Sequence, residues 1–252
     1  RSPDLFIPGL MHGDYQFANV MYGDGAPAKL AALIDWEMGT VGDPKLDLGC
    51  VGQSWPADTM AVEAEAKFKA TGKKLRPLIL VGDLADPNAV KRREGFMNAI
   101  KNHAAIFETP VEINTKWNSQ VALAGLEAAV TADPDIDFIF TSSDFLFPTI
   151  QGVLEPRGKW KKTGEDGHVI LGGLDGDDGA CKLIREKYVD STGVQDVYLE
   201  AKLALDNIQD AIAKGDARPN GVKLDPGFAL SPANYAAKGA PPWGCMVLDA
   251  AK

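Results

Sequence analysis

The chain has 252 residues, of which 45% are apolar and 24% are charged, and its formal net charge is −9. This composition is ordinary for a globular protein with one large domain or two small ones. The negative charge excludes sequence-independent binding to nucleic acid or to an anionic membrane surface. No apolar run approaches the roughly 20 residues that span a bilayer, so direct membrane insertion is not expected either.

The cysteines and histidines give no sign of a cross-link or a zinc site. Cys50, Cys181 and Cys245 are odd in number and far apart, so we expect free or buried thiols rather than a disulfide framework or a metal-binding spacing. The three histidines are equally scattered. No basic and apolar leader stands at the start of the chain, but a secreted protein would already have lost one.

The first 59 residues carry polar motifs between short apolar runs. A polar loop contains Asp14 and Asn19, a turn at 23–25 closes a predicted hairpin, and an apolar strand at 30–34 leads into Asp35. This layout suits phosphoryl transfer, because one carboxylate can accept the proton of an attacking hydroxyl while an amide and a second carboxylate hold Mg²⁺. Asp14 is the candidate catalytic base, and Asn19 and Asp35 are the candidate magnesium ligands.

The same segment resembles the aminoglycoside and choline kinase-like phosphotransferase family. The resemblance rests on His-Gly-Asp at 12–14 with Asn19, on Ile-Asp-Trp-Glu at 34–37, and on Gly-Asp-Pro at 42–44 with Asp47. It implies the catalytic and magnesium-binding roles just given, a structural role for Asp47, and Mg²⁺ and ATP as cofactors. No nucleotide-covering lobe is found in the sequence, so the resemblance leaves open whether the chain is an enzyme.

From about residue 60 onward, helical and strand-like patterns alternate. Helices are predicted at 61–70, 88–103 with Asn88 as N-cap, 119–131, 145–154, 179–188 and 201–214. Strands are predicted at 78–81, 111–114, 138–141, 197–199 and 246–248, and the stretch 169–176 predicts a buried strand that runs into a glycine-rich turn. This alternation predicts an α/β domain with a doubly wound parallel sheet, preceded by the small kinase-like segment. The predicted domains are therefore 1–59 and 60–252.

Polar side chains follow two of these strands directly. Ligands of open α/β sheets bind beyond the carboxyl ends of the strands, and Asp175, Ser143 and Asp144 are predicted to lie there. Carboxylates accept hydrogen bonds from pairs of hydroxyl groups, and the nearby helix brings Arg92, whose planar guanidinium donates to ring and hydroxyl oxygens. The alternative is that the three strand-end residues only cap the following helices and that Arg92 is a solvated helix charge.

This larger region resembles the type I periplasmic sugar-binding proteins, the ribose-binding-like group that serves ABC importers. The resemblance rests on Arg-Arg-Glu-Gly-Phe at 92–96, Asp-Pro-Asp-Ile at 133–136, Ser-Asp at 143–144 and Leu-Asp-Gly at 174–176. It begins at the second of the two lobes that such proteins have.

The sugar-binding resemblance implies a cleft lined by Arg92, Ser143 and Asp175, with Glu200 on the last crossing strand as a further candidate. Aromatic rings that could stack on a sugar are Trp117, Phe145 and Phe147, although such rings also serve as core residues.

Three functions remain open at this point. The first is a binding module without a cofactor that takes a small sugar-like ligand, works with the membrane subunits of an ABC transporter, and is periplasmic once its leader is removed. The second is a cytoplasmic phosphotransferase that uses Mg²⁺ and ATP on a hydroxyl. The third is a fusion chain, natural or engineered, in which neither activity is intact.

Overall fold

The structure is a computed structural model that describes residues 57–215, 227–235 and 242–251, together with the backbone of four short strands before residue 43. The chain divides into two compact units. One contains Arg1–Cys50 and Asp196–Asp225, and the other contains Val51–Gln195 and Pro226–Lys252. The division predicted from the sequence, 1–59 and 60–252, stays a prediction.

The four short strands form two antiparallel pairs. Strand β1 (Gly9–Met11) pairs with β4 (Thr40–Gly42), and β2 (Val20–Gly23) pairs with β3 (Lys29–Leu33). The second pair agrees with the hairpin predicted from the turn at 23–25. Asp14, Asn19 and Asp35 lie outside the described residues.

The second unit is built on a six-stranded sheet. Its strands in chain order are β5 (Pro77–Val81), β6 (Val111–Asn114), β7 (Phe138–Thr141), β8 (Ile170–Asp175), β9 (Ser191–Val194) and β10 (Phe228–Leu230). Their order across the sheet is β10-β9-β8-β7-β5-β6, and only β10 runs antiparallel to its neighbour. The mostly parallel sheet confirms the predicted fold class.

Seven helices are described in the chain. They are α1 (Ala57–Thr71), α2 (Pro87–Asn102), α3 (Ser119–Ala132), α4 (Phe147–Leu154), α5 (Asp178–Arg185), α6 (Val197–Lys214) and α7 (Trp243–Ala250). Single 3₁₀ turns at Asp144–Leu146 and Glu155–Arg157 flank α4. None of the helices in the described part of the chain is long and apolar enough to cross a membrane.

The central strands β5, β7 and β8 are buried on both faces, which explains their largely apolar sequences. In β5, Leu78 and Leu80 face a core shared with α3, α4 and α5, whereas Ile79 and Val81 face a core shared with α1 and α2. Phe96 of α2 stacks on a ring of β7 in the second core, with 5.3 Å between ring centroids. Helices on both faces make this the doubly wound arrangement that the sequence predicts.

Helix α2 begins earlier than expected, and its predicted N-cap is wrong. The Asp86 carboxylate accepts a hydrogen bond from the Asn88 N–H at 2.8 Å, and Pro87 occupies the first helical position. Proline suits this position because a backbone N–H there has no partner within the helix, so its absence costs no hydrogen bond. Asp86, rather than Asn88, is therefore the cap.

Two predicted strands are also wrong. Residues 197–199 open α6, because the Asp196 side chain accepts from the Leu199 N–H at 3.0 Å and caps the helix. The crossing strand is β9 instead, whose Ser-Thr-Gly-Val sequence carries little apolar signal. Residues 246–248 lie in α7, which starts directly after Pro242.

The thiol prediction fails at two of the three cysteines. Cys181 of α5 and Cys245 of α7 form a disulfide with a Cα–Cα distance of 5.3 Å. The bidentate contact of Arg185 with Asp249, at 2.6 and 2.8 Å, joins the same two helices. The helix closest to the end of the chain is thus fastened to the sheet unit, although 64 residues separate the cysteines.

Removing this disulfide should destabilise the second unit. Closing a loop of this length is worth roughly 4 kcal/mol through the entropy of the unfolded chain. We expect the double variant Cys181→Ala/Cys245→Ala to lose stability of this order in urea unfolding. The control Cys50→Ala should unfold like the parent, and a reductant should shift the midpoint of the parent but not that of the double variant. An unchanged midpoint for the reduced parent would contradict the assigned pair.

Candidate functional site

The carboxyl ends of the parallel strands meet at one edge of the sheet, which we call the binding edge. It contains Asp175 as the last residue of β8, Ser142 and Ser143 after β7, and Gln195 after β9. Helix α2 follows β5 and carries Arg92 to the same edge. Polar groups from the ends of three adjacent strands, β7, β8 and β9, and from the helix after the neighbouring β5 therefore meet in one place.

Arg92 is the buried centre of the binding edge, since only 4% of it is exposed. Its guanidinium pairs with Asp175, with 2.8 Å between Nη1 and Oδ1. Nη1 also donates to the Ser142 carbonyl at 2.7 Å, and Nη2 donates to the side-chain oxygen of Gln195 at 3.1 Å. Such pairing is required because an unpaired buried charge is very costly. The alternative prediction, that Arg92 is a solvent-exposed charge on its helix, is therefore wrong.

Two polar atoms beside this pair lack partners within the described residues. They are Nε of Arg92 and the hydroxyl oxygen of Ser142, both buried. Buried polar atoms are nearly always hydrogen-bonded, so each exception calls for a further partner such as an ordered water or a ligand. A ligand with hydroxyl or ring oxygens can accept from the guanidinium N–H.

Asp175 connects the ion pair to the loop after β7. Its Oδ2 accepts from the Ser143 hydroxyl and from the Asp144 N–H, the latter at 3.4 Å. Its side chain keeps 25% exposure, so the carboxylate is accessible. Its φ of 131° is rare for a residue other than glycine, and such strained backbone concentrates where ligands are held. The alternative that Asp175 caps the next helix is wrong, because Asp177 caps α5.

Trp117 brings an aromatic ring to the binding edge. The Arg92 guanidinium carbon lies 5.8 Å from the ring centroid, and the indole N–H donates to Asp86 at 2.9 Å. A Cβ on Gly82 would lie 2.2 Å from the ring, so glycine there makes room for it. Of the other aromatic candidates, Phe147 is a fully buried core residue and Phe145 is exposed.

Asp144 lies beneath the binding edge rather than on it. It is 2% exposed, and its Oδ2 accepts from the Gly176 N–H and the Thr192 hydroxyl, both at 2.7 Å. Burial, and then the charges of Asp175 and Asp177, raise its pKa well above the ordinary carboxyl value. Asp144 thus joins the loops after β7 and β8 to strand β9, and it holds the backbone that presents Asp175.

Two residues of the binding edge were missed in the sequence. Gln195 was overlooked because a strand was predicted at 197–199, whereas β9 ends at Val194, directly before Gln195. Trp243 of α7 donates its indole N–H to the carbonyls of Gln195 and Asp175, at 2.7 and 3.3 Å. No local pattern identifies Trp243, because 48 residues separate it from Gln195.

The remaining predicted site residues are Glu200, Asp14, Asn19 and Asp35. Glu200 lies in the first turn of α6, not on a strand, and belongs to the other compact unit. Asp14, Asn19 and Asp35 lie outside the described residues, so the magnesium and catalytic roles given to them stay predictions.

Two family models match this chain, and the matched regions overlap. The family model for a periplasmic binding protein domain matches residues 60–217. The model for a phosphotransferase enzyme family matches residues 3–80. Both resemblances derived from the sequence are therefore confirmed as resemblances.

Solved structures with the same fold include sugar-binding proteins. A galactofuranose binding protein has a TM-score of 0.57 and 18% identity over 71% of this chain. An ABC transporter periplasmic solute binding protein from Actinobacillus succinogenes with bound D-allose has a TM-score of 0.57 and 22% identity over 72% of this chain. An ABC transporter solute binding protein from Bacillus halodurans with bound myo-inositol has a TM-score of 0.57 and 19% identity over 72% of this chain. The match spans 60% of the length of each.

The raised pKa of Asp144 predicts a pH dependence of stability. When the pKa of a carboxyl group is higher in the folded than in the unfolded state, the protonated group stabilises the fold. This contribution to the free energy of unfolding is complete below about pH 4. It is lost as the pH rises toward the folded-state pKa, by at most about 1.4 kcal/mol per pH unit. The amide of Asp144→Asn can still bond Gly176 and Thr192 but does not titrate. We therefore expect the free energy of unfolding of this variant, measured in urea, not to show this decrease between pH 4 and 8. The exposed control Asp166→Asn should follow the parent. Identical pH profiles for the parent and Asp144→Asn would contradict the assignment.

Proposed function

The chain belongs to the periplasmic binding protein domain family, and we propose that its sheet unit binds a small sugar or a sugar-like polyol at the binding edge. The function is binding rather than catalysis and needs no cofactor. The supporting observation is the buried Arg92–Asp175 ion pair, which stands at the strand ends with an unpartnered guanidinium Nε among the described residues.

The chemistry of the binding edge suits a neutral polyhydroxylated ligand. Each sugar hydroxyl donates one hydrogen bond and accepts others, and the edge offers both functions through the guanidinium, a carboxylate and the Ser143 hydroxyl. The charges of Arg92 and Asp175 compensate each other, so the ligand need not bring a charge. The Trp117 ring supplies an apolar face of the kind that sugar C–H groups contact.

The ligands of the structural relatives support the same class. D-allose, myo-inositol and D-arabinose are bound in three of them. All three molecules are small, neutral and rich in hydroxyl groups. We propose this class for the present chain without choosing one sugar.

The proposed location is outside the cytoplasm, with ABC transporter membrane subunits as the proposed partner. The family supports the location. The disulfide between Cys181 and Cys245 supports it independently, because disulfides persist in oxidising compartments and are rare in the cytosol. Two of the structural relatives are named as ABC transporter solute binding proteins.

A second candidate function is phosphotransfer, favoured by the family match over residues 3–80. It assigns Asp14 as catalytic base, Asn19 and Asp35 as magnesium ligands, and ATP as the phosphate donor. A fusion chain that retains neither activity is the third possibility, and the experiment below distinguishes all three.

A thermal-shift titration tests the proposed function. The parent is melted with D-allose, myo-inositol or D-arabinose, and separately with Mg²⁺ and ATP. A ligand at a hundred times its dissociation constant adds about 2.7 kcal/mol of stability. We expect stabilisation by at least one polyol and none by Mg²⁺-ATP. Stabilisation by Mg²⁺-ATP alone, lost in Asp14→Asn, would favour the phosphotransferase, and no shift with any ligand would favour the inactive fusion.

Matched variants locate the polyol on the molecule. Arg92→Gln and Asp175→Asn should each weaken the polyol affinity by about tenfold or more, because each removes a charged hydrogen-bonding group. Arg93→Gln and Asp178→Asn change neighbouring residues that lie outside the binding edge and should bind like the parent. Isothermal titration calorimetry measures all four. Equal affinities for Asp175→Asn and Asp178→Asn would show that the polyol binds elsewhere.

A further inference from the structure

A second cluster of ionisable side chains lies at the opposite edge of the sheet. His168 and Asp190 stand just before the amino ends of β8 and β9, and Glu63 reaches them from α1. One ligand atom from each of the three lies within 4.8 Å of the others. Asp190 is fully buried, His168 is 8% exposed, and Glu63 is half-buried. The cluster shares no residue with the binding edge.

The imidazole of His168 is held with one nitrogen facing the carboxylates. Its Nδ1 lies 2.8 Å from the Lys161 carbonyl, which can only accept, so Nδ1 carries a proton and donates. Its Nε2 lies 2.9 and 3.0 Å from the two oxygens of Asp190. A histidine that binds a metal usually donates its other ring N–H to a carbonyl or carboxylate in this way, which fixes the tautomer.

Asp190 is likewise oriented by the protein itself. Its Oδ1 accepts from the Thr163 hydroxyl at 2.6 Å, and its Oδ2 accepts from the Leu171 N–H at 2.7 Å. Each carboxylate oxygen has a further lone pair. Both oxygens can therefore keep these bonds while facing a cation.

The cluster needs positive charge at its centre. Two carboxyl groups and one imidazole nitrogen converge there, and ionised carboxylates only accept hydrogen bonds. Either protons or one divalent cation can supply the charge. Imidazole nitrogen with carboxylate oxygens is a ligand set that Zn²⁺ and other first-row divalent cations accept.

We infer that Glu63, His168 and Asp190 form a binding site for one first-row divalent cation, with Zn²⁺ as the representative ion. The cation joins α1 to the amino ends of two strands of the sheet. Three protein ligands leave a fourth coordination position for water, and the half-buried Glu63 is the side from which the ion enters. The site is independent of polyol binding.

Zn²⁺ titration of the full chain tests the inference. The protein is stripped with a chelator, kept oxidised, and titrated in a calorimeter at pH 7.5. We expect one Zn²⁺ per chain and a higher melting temperature. Glu63→Gln, which keeps the size of the side chain, should lower the Zn²⁺ affinity by about tenfold or more. His168→Gln should lower it further.

Two variants control for binding at other histidines and carboxylates. Glu65→Gln changes a partly exposed residue of the same helix that pairs with Lys69, and His103→Gln changes another described histidine. Both should bind Zn²⁺ like the parent. Polyol affinity checks the fold of Glu63→Gln, and Co²⁺ absorption of the parent should show coordination by nitrogen and oxygen that this variant lacks. Equal Zn²⁺ affinity for Glu63→Gln and the parent, or no stoichiometric binding by the parent, would overturn the inference and leave the cluster bridged by protons.

Discussion

The binding edge depends on the requirement that the charge of a buried guanidinium be paired. Arg92 comes from the helix after β5, yet its partners lie at the ends of β7, β8 and β9. Removing any one partner would leave charge or polar atoms unpaired at high cost, so the ion pair fixes the relative positions of four strand ends. A site built in this way is formed before the ligand arrives, which reduces the ordering cost of binding.

The glycines of β8 allow this arrangement. A Cβ on Gly173 would lie 2.1 Å from Asp144 Oδ1, and one on Gly172 would lie 2.1 Å from the Met60 sulfur. Glycine at these two positions lets a buried carboxylate and a core helix approach the strand backbone closely. The glycine pair, predicted to belong to a turn, thus lies inside the strand, and the turn starts only at Gly176. Asp144 then binds the Gly176 N–H and holds Asp175 in its unusual backbone conformation.

Sequence patterns predicted what is locally encoded. The apolar runs of β5, β7 and β8, the amphipathic helices between them, and the position of Asp175 at a strand end all follow from short windows. The patterns failed where the information is distant in sequence. The Cys181–Cys245 disulfide, the Trp243 contacts and the approach of Glu63 to His168 each join segments that only the folded sheet brings together. The prediction missed strand β9 for a different reason, because its Ser-Thr-Gly-Val sequence is buried without being apolar.

The two family matches overlap on residues 60–80, and the structure shows which fold these residues adopt. They form most of α1 and β5, and β5 is hydrogen-bonded to β6 on one side and to β7 on the other. The overlap therefore belongs to the binding-protein sheet, while the phosphotransferase motifs end at Asp47. The two functions share no motif residue, but they need different surroundings. ATP-dependent transfer requires the cytosolic nucleotide pool, whereas the Cys181–Cys245 disulfide persists in oxidising compartments. The disulfide therefore supports the proposed binding function rather than the proposed phosphotransfer.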